Sequence, residues 1–129
     1  MDELKLKQTS FTPEIYFHKN GNLEISGKVI PDLEIDFWTP LKDWINDYVQ
    51  KPAAKTILRL QIDCLNTSSS REILELLYKL NDLNDRGFQV SVYWIYNYSD
   101  LDMLEAGRDY EQMVKIPFVF SANSEISYV

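Results

Sequence analysis

KTILRLQIDCLNTSSSREILELLYKLNDLNDRGFQVSVYWIY, residues 55–96, changes its apolar period twice, and those two changes decide the fold. In the first part Leu58, Leu60, Ile62 and Cys64 alternate with Arg59, Gln61 and Asp63, the period of a strand with one covered and one partly open face. From 68 to 86 the apolar residues Ile73, Leu76, Leu77, Leu80 and Leu83 recur at helical spacing, and Gly87 ends the run. FQVSVYWIY, 88–96, is apolar almost throughout, as expected of a central strand. The unit is strand–helix–strand, which implies parallel neighbours joined by a right-handed crossover.

Working outward, IPFVF at 116–120 reads as a last strand with Pro117 near its start, reached through a helix over about 99–114. Upstream, PEIYFHKNGNLEISG at 13–27 reads as a β-hairpin turning at Asn20–Gly21, and LKLKQT adds a short edge strand. Between hairpin and central unit, Phe37, Leu41, Trp44 and Tyr48 fall at helical spacing, with Trp38 and Ile45 beside them. Pro40 either starts this helix, with Thr39 as its N-cap, or kinks a longer one. The expected fold is α/β, a mixed sheet with an N-terminal hairpin and three helices, in a single domain spanning 1–129.

Composition narrows the function. The 129 residues carry 13 basic and 20 acidic side chains, a net charge of −7, which argues against DNA, RNA and anionic membrane as partners. No apolar run approaches the roughly 18 residues of a membrane span. MDELKLKQTS is too polar for a signal peptide, so a cytoplasmic location is expected. One cysteine precludes an internal disulfide, and one histidine leaves most metal and general-base sites short of parts.

The unusual feature is the run Thr67, Ser68, Ser69, Ser70, and three readings compete for it. Hydroxyls cap helix N-termini, and Ser69 with Glu72 has capping-box spacing, although a cap needs only one hydroxyl. A catalytic loop around Cys64 and Arg71 resembles the cysteine phosphatases. Those enzymes space the pair as Cys-x5-Arg, however, whereas six residues intervene here, glycines are lacking, and Cys64 falls on the apolar side of its strand, where burial is expected. The third reading is a switch: a hydroxyl exposed where strand hands over to helix accepts a phosphate, which adds about −1.5 to −2 charges at the positive end of the helix dipole.

TPEIYF, GNLEISGKVIP, FWTPLKDW, LNTSS, VYWIYNYSDLDMLEAGRDYEQM and IPFVF, in order along nearly the whole chain, together resemble the SiaC family of bacterial regulatory phosphoproteins. The resemblance implies a fold like that of anti-sigma-factor antagonists (STAS domains), with helices largely on one face of the sheet. It also implies a phosphoacceptor at the threonine of NTSS, here Thr67, with Asn66, Ser68 and Ser69 shaping kinase and partner contacts. By the same resemblance no cofactor and no catalytic activity are expected. A Ser/Thr protein kinase would add the phosphate and a PP2C-type phosphatase remove it, and the unphosphorylated form would bind and regulate an output protein, a diguanylate cyclase. The alternative is an anti-sigma-factor antagonist controlling a transcription regulator. Two departures stand out: IPDL at 30–33 replaces the family's YPEN, and Cys64 replaces an aromatic residue.

Asp100, Asp102, Glu105 and Asp109 make the helix over 99–114 acidic. The pattern fits a solvated face, with docking to a basic partner surface as a further option; metal binding is conceivable but not expected. Gly107 inside that helix implies close packing against another backbone.

Overall fold

A computed structural model describes residues 2–124. Its elements are β1 (Leu4–Leu6), β2 (Glu14–Phe17), β3 (Asn22–Val29), α1 (Trp38–Gln50), β4 (Lys55–Leu65), α2 (Thr67–Asp85), β5 (Gln89–Asn97), α3 (Leu101–Met113) and β6 (Phe118–Asn123). One sheet contains all six strands in sequence order. β1, β2 and β3 pair antiparallel, while β3 to β6 pair parallel. The expected mixed sheet with a hairpin and three helices is therefore present. Each helix connects a strand to its next neighbour in the same direction across the sheet. Right-handed crossovers then place all three helices on one face.

That face holds the core. Leu23 pairs with Leu58 and Ile25 with Leu60, and these in turn pair with Val92 and Trp94; all six are at most 1% exposed. Leu41, Trp44, Ile45 and Tyr48 of α1 and Ile73, Leu77, Leu80 and Leu83 of α2 cover them. A buried hydrogen bond of 2.7 Å between the Tyr48 and Thr56 hydroxyls satisfies both polar groups inside this layer. The other face is mixed, with Ile57, Ile95 and Val119 among polar residues, and across it Glu24, Arg59 and Tyr93 lie side by side, the guanidinium 5.5 Å from the Tyr93 ring centroid.

Local chemistry sets the element ends. Gly21 has φ 103° in the β2–β3 turn, where a Cβ would also run into the Lys55 carbonyl. At the end of α2, the Phe88 N–H bonds the Leu83 carbonyl and the Gly87 N–H that of Asn84, the paired bonds of a Schellman cap, with Gly87 at φ 96°. α1 begins at Trp38, two residues ahead of Pro40, so neither a Thr39 cap nor a kinked longer helix forms. Pro40 sits in the first turn, where its missing N–H has no intrahelical partner to lose.

Two further expectations are corrected. Cys64 is half-buried, not buried with the apolar set. Gly27 pairs with Ile62 but Lys28 with Cys64, so a bulge at Asp63 shifts the register. The shift turns Cys64 to the open face beside Lys28 and brings Leu65 beside the buried Val29. Gly107 does pack closely, but against a side chain: the indole of Trp94, not a backbone, occupies the space its Cβ would need.

Candidate functional site

Thr67 is the first residue of α2 and follows β4 by one residue, Asn66. Asn66 is extended at φ −88°, ψ 168° and caps the helix: its Oδ1 accepts from the Ser69 N–H at 3.0 Å. Its Nδ2 donates to the Pro31 carbonyl at 3.3 Å, and its own N–H donates to Val29. One side chain thus joins the helix start to the loop after β3. The cap is Asn66 and not Ser69, and no Ser69–Glu72 capping box forms. Glu72 pairs instead with Lys42 at 2.9 Å, and that hydrogen bond holds the Lys42 amine above its ordinary pKa. Capping therefore accounts for none of the four hydroxyls. Asn66→Ala is expected to lower the unfolding free energy by about 1–2 kcal/mol, measured from the urea midpoint. A wild-type midpoint would show that the cap contributes nothing.

A helix advances by 3.6 residues per turn, so four successive residues point to different sides. Thr67 and Ser68 are exposed, Ser69 is fully buried, and Ser70 is half-buried. Ser69 therefore does not reach the surface as a partner contact. Helix phase turns it into the core, where its Oγ has no hydrogen-bond partner among the described residues. Ser70 faces α3: the Tyr110 hydroxyl donates to the Ser70 carbonyl at 2.8 Å and lies 3.0 Å from the Ser70 Oγ. Burial pushes the Tyr110 phenol up, and its hydrogen bond to Ser70 works against that.

The two exposed hydroxyls look into different depressions. Thr67 lines a groove between α2 and α3 with Ser70, Arg71, Leu74, Asp109 and Tyr110. Ser68 lines a second depression with the acidic loop 31–37, Trp38 and Lys42. Arg71 thus faces α3, while Cys64 lies on the open face of the sheet, the side away from the helices. The two do not converge, and the geometry gives no anion cradle of the phosphatase kind.

A feature missed in the sequence surrounds this site. β3, β4 and β5 are parallel, so the segments that follow them share one end of the sheet, with Thr67 in the middle. The β1–β2 loop joins them, since the Ile30 N–H donates to the Phe11 carbonyl at 3.0 Å. Phe11, Leu33, Ile35, Tyr98 and Leu101 are all exposed there, Leu33 by 84% and Leu101 by 65%, far more than core packing would leave. The alternation DLEID at 32–36 was the only local sign, and it marks a loop, not a strand.

The acidic helix separates into distinct roles. Asp100 is the N-cap of α3, accepting from the Met103 N–H at 3.1 Å. Glu105 lies 4.0 Å from Arg108, Asp102 is exposed in the first turn, and Asp109 lines the Thr67 groove. Among the described residues no group of three His, Cys, Asp or Glu side chains is placed to hold a metal ion. No helix among them is long and apolar enough to cross a membrane.

The sequence profile described as SiaC family regulatory phosphoprotein matches residues 6–123, and the chain belongs to that family. An uncharacterized Pseudomonas aeruginosa protein is 25% identical over 126 residues, covering 97% of this chain and all of the relative. The solved structure of apo-SiaC from Pseudomonas aeruginosa superposes with a TM-score of 0.87 at 24% identity, covering 95% of this chain and 100% of that one. SiaC in the crystal structure of the diguanylate cyclase SiaD in complex with its activator SiaC, also from Pseudomonas aeruginosa, gives a TM-score of 0.84 at 24% identity, over 93% and 99% of the two chains.

Proposed function

We propose that this chain is a non-catalytic binding switch in which Thr67 is the phosphoacceptor. In its unphosphorylated form it binds and regulates an output protein, a diguanylate cyclase. A Ser/Thr kinase sets the switch, a PP2C-type phosphatase resets it, and the exchange takes place in the cytoplasm. One observation carries the reading: Thr67 is an exposed hydroxyl at a helix start, in the middle of the sheet end that bears five exposed large apolar side chains. The complex of SiaD with its activator SiaC supports the choice of output protein.

The chemistry required of the chain is small. The Thr67 hydroxyl must reach a kinase, and its exposure supports that. The product is a dianion beside the free N–H groups of the first turn of α2, which favour negative charge. Asn66 and Ser68 are the neighbours through which the kinase and the output protein would recognise the loop. The exposed carboxylates of Asp102 and Asp109 are candidates for docking to a basic surface.

The test is phosphate uptake from ATP in the presence of the cognate kinase. The wild type is expected to take up one phosphate and Thr67→Ala essentially none, with mass spectrometry placing the group on residue 67. Ser68 is the exposed competitor, and a phosphate found there would reassign the acceptor.

A further inference from the structure

We propose that Arg71 receives the phosphate on Thr67, turning it into the α2–α3 groove and away from the acidic loops that surround the site. The inference rests on Thr67 being the acceptor and adds where the phosphate goes.

Thr67 and Arg71 are four residues apart on α2 and line the same groove. Residues at this spacing lie one above the other on a helix, with Cβ atoms about 5–6 Å apart, and an anion N-terminal to a cation is the better order. Arg71 is exposed, and among the described residues no carboxylate lies within ion-pairing distance of it. Glu72, adjacent in sequence, is held by Lys42 on the other side of the helix, and Glu75, one turn on, forms no ion pair with Arg71. Among the described residues Arg71 is thus an unpaired guanidinium one turn from the hydroxyl. Its planar fork suits bidentate recognition of a phosphate, which a lysine could meet only as a point charge.

The alternatives for the phosphate are worse. Toward the loop after β3 stand Asp32, Glu34 and Asp36, and toward the loop after β5 stand Asp100 and Asp102. The groove presents one carboxylate, Asp109, together with the neutral Tyr110 phenol and the apolar Leu74, Ala106 and Met113. Further along α2, Glu75 is exposed one turn beyond Arg71. Asp109 and Glu75 oppose the dianion, and among the described residues Arg71 is the only cation lining this groove. A phosphate held there sits against α3 beside the Ser70–Tyr110 hydrogen bonds.

The pair is read by its titration. Phosphothreonine is incorporated at position 67 by codon suppression, and its phosphorus resonance is followed by NMR from pH 4 to 8. A free phosphothreonine loses its second proton near pH 6. A facing guanidinium favours the dianion, so Arg71→Gln is expected to raise the midpoint by about half a pH unit over the Arg71-bearing protein. Arg71→Lys, which keeps the charge, is expected to recover most of that difference. Lys79→Gln, on the α1 side of the same helix, is expected to leave the midpoint unchanged. An identical midpoint with and without the Arg71 guanidinium would overturn the pairing and leave the helix N–H groups or solvent as the phosphate's partners. The phosphate is installed without a kinase, so this result is independent of whether the kinase chooses Thr67.

Discussion

Gly107→Leu is expected to cost the fold about 3 kcal/mol, although the change replaces a poor helix former by a good one. A Cβ at this position would lie 2.5 Å from the Trp94 Nε1 and 2.6 Å from two indole carbons. The indole cannot swing away, because it is 1% exposed and its N–H donates to the Met103 carbonyl at 2.9 Å. Met103 lies one turn earlier on the same helix, so Trp94 both hydrogen-bonds the backbone of α3 and fills the notch left by Gly107. Tyr110, one turn later, packs its ring 5.6 Å from the indole centroid. A side chain at 107 must therefore lift α3 from β5 or break the indole hydrogen bond. For alanine, overpacking of roughly 1–3 kcal/mol is offset by about 1 kcal/mol of helix propensity, so its net loss is smaller. Leucine adds three more carbons with no space to take them. Urea unfolding measures both variants. The coupling is checked by Trp94→Phe, whose smaller ring is expected to recover part of the Gly107→Ala loss. A wild-type midpoint for Gly107→Leu would show that α3 is not held at this notch.

Sequence reading succeeded or failed according to how local the deciding contacts are. The β4–α2–β5 unit was legible because each segment holds one apolar period for long enough, and Gly87 marks the stop with a backbone only glycine adopts easily. The placement of Thr67 at a helix start follows directly from that unit. Cys64 was misplaced because alternation assumes a constant register, and one extra residue at Asp63 reverses the face of everything after it. The cap was misassigned because Asn66 and Ser69 are both good cap residues, and only the chain's path past Pro31 selects between them. Once the helix starts at Thr67, Ser69 falls one turn before Ile73 on the buried stripe of α2, which is why it points inward. The Nε2 of His18 lies 3.2 Å from Glu3, an acidic neighbour remote in sequence that only strand pairing brings alongside. The ring of exposed apolar side chains around Thr67 comes from three separate segments, and no local pattern brings them together before the sheet order is known.

Under the proposed switch, that ring sets the expected size of the response to phosphorylation. Phosphothreonine at 67 is expected to weaken binding to the output protein by 100-fold or more, about 2.7 kcal/mol. Phe11, Leu33, Ile35, Tyr98 and Leu101 are exposed apolar side chains with Thr67 in their middle, and under the proposed switch they are the surface the output protein covers. An unmodified threonine there costs little to cover, since it carries one neutral hydroxyl and no charge. A dianion covered in the same dry interface costs several kcal/mol in lost hydration, more than one exposed guanidinium beside it returns. Thr67→Ala should therefore bind within a few-fold of wild type, and Thr67→Asp, with one charge and no tetrahedral oxygens, should fall between. The domain itself should remain folded, because a helix N-terminus tolerates an anion, and an unchanged far-ultraviolet spectrum would show it. Arg71 adds a second-order term with a definite sign. If its guanidinium partly neutralises the phosphate, phosphorylated Arg71→Gln should bind the partner more weakly still than phosphorylated wild type, while the two unphosphorylated proteins remain alike. Calorimetric titration of the output protein with the four species separates these terms. Equal affinity of the phosphorylated and unphosphorylated wild-type forms would defeat the mechanism, because the hydroxyl would then lie outside the surface the partner covers.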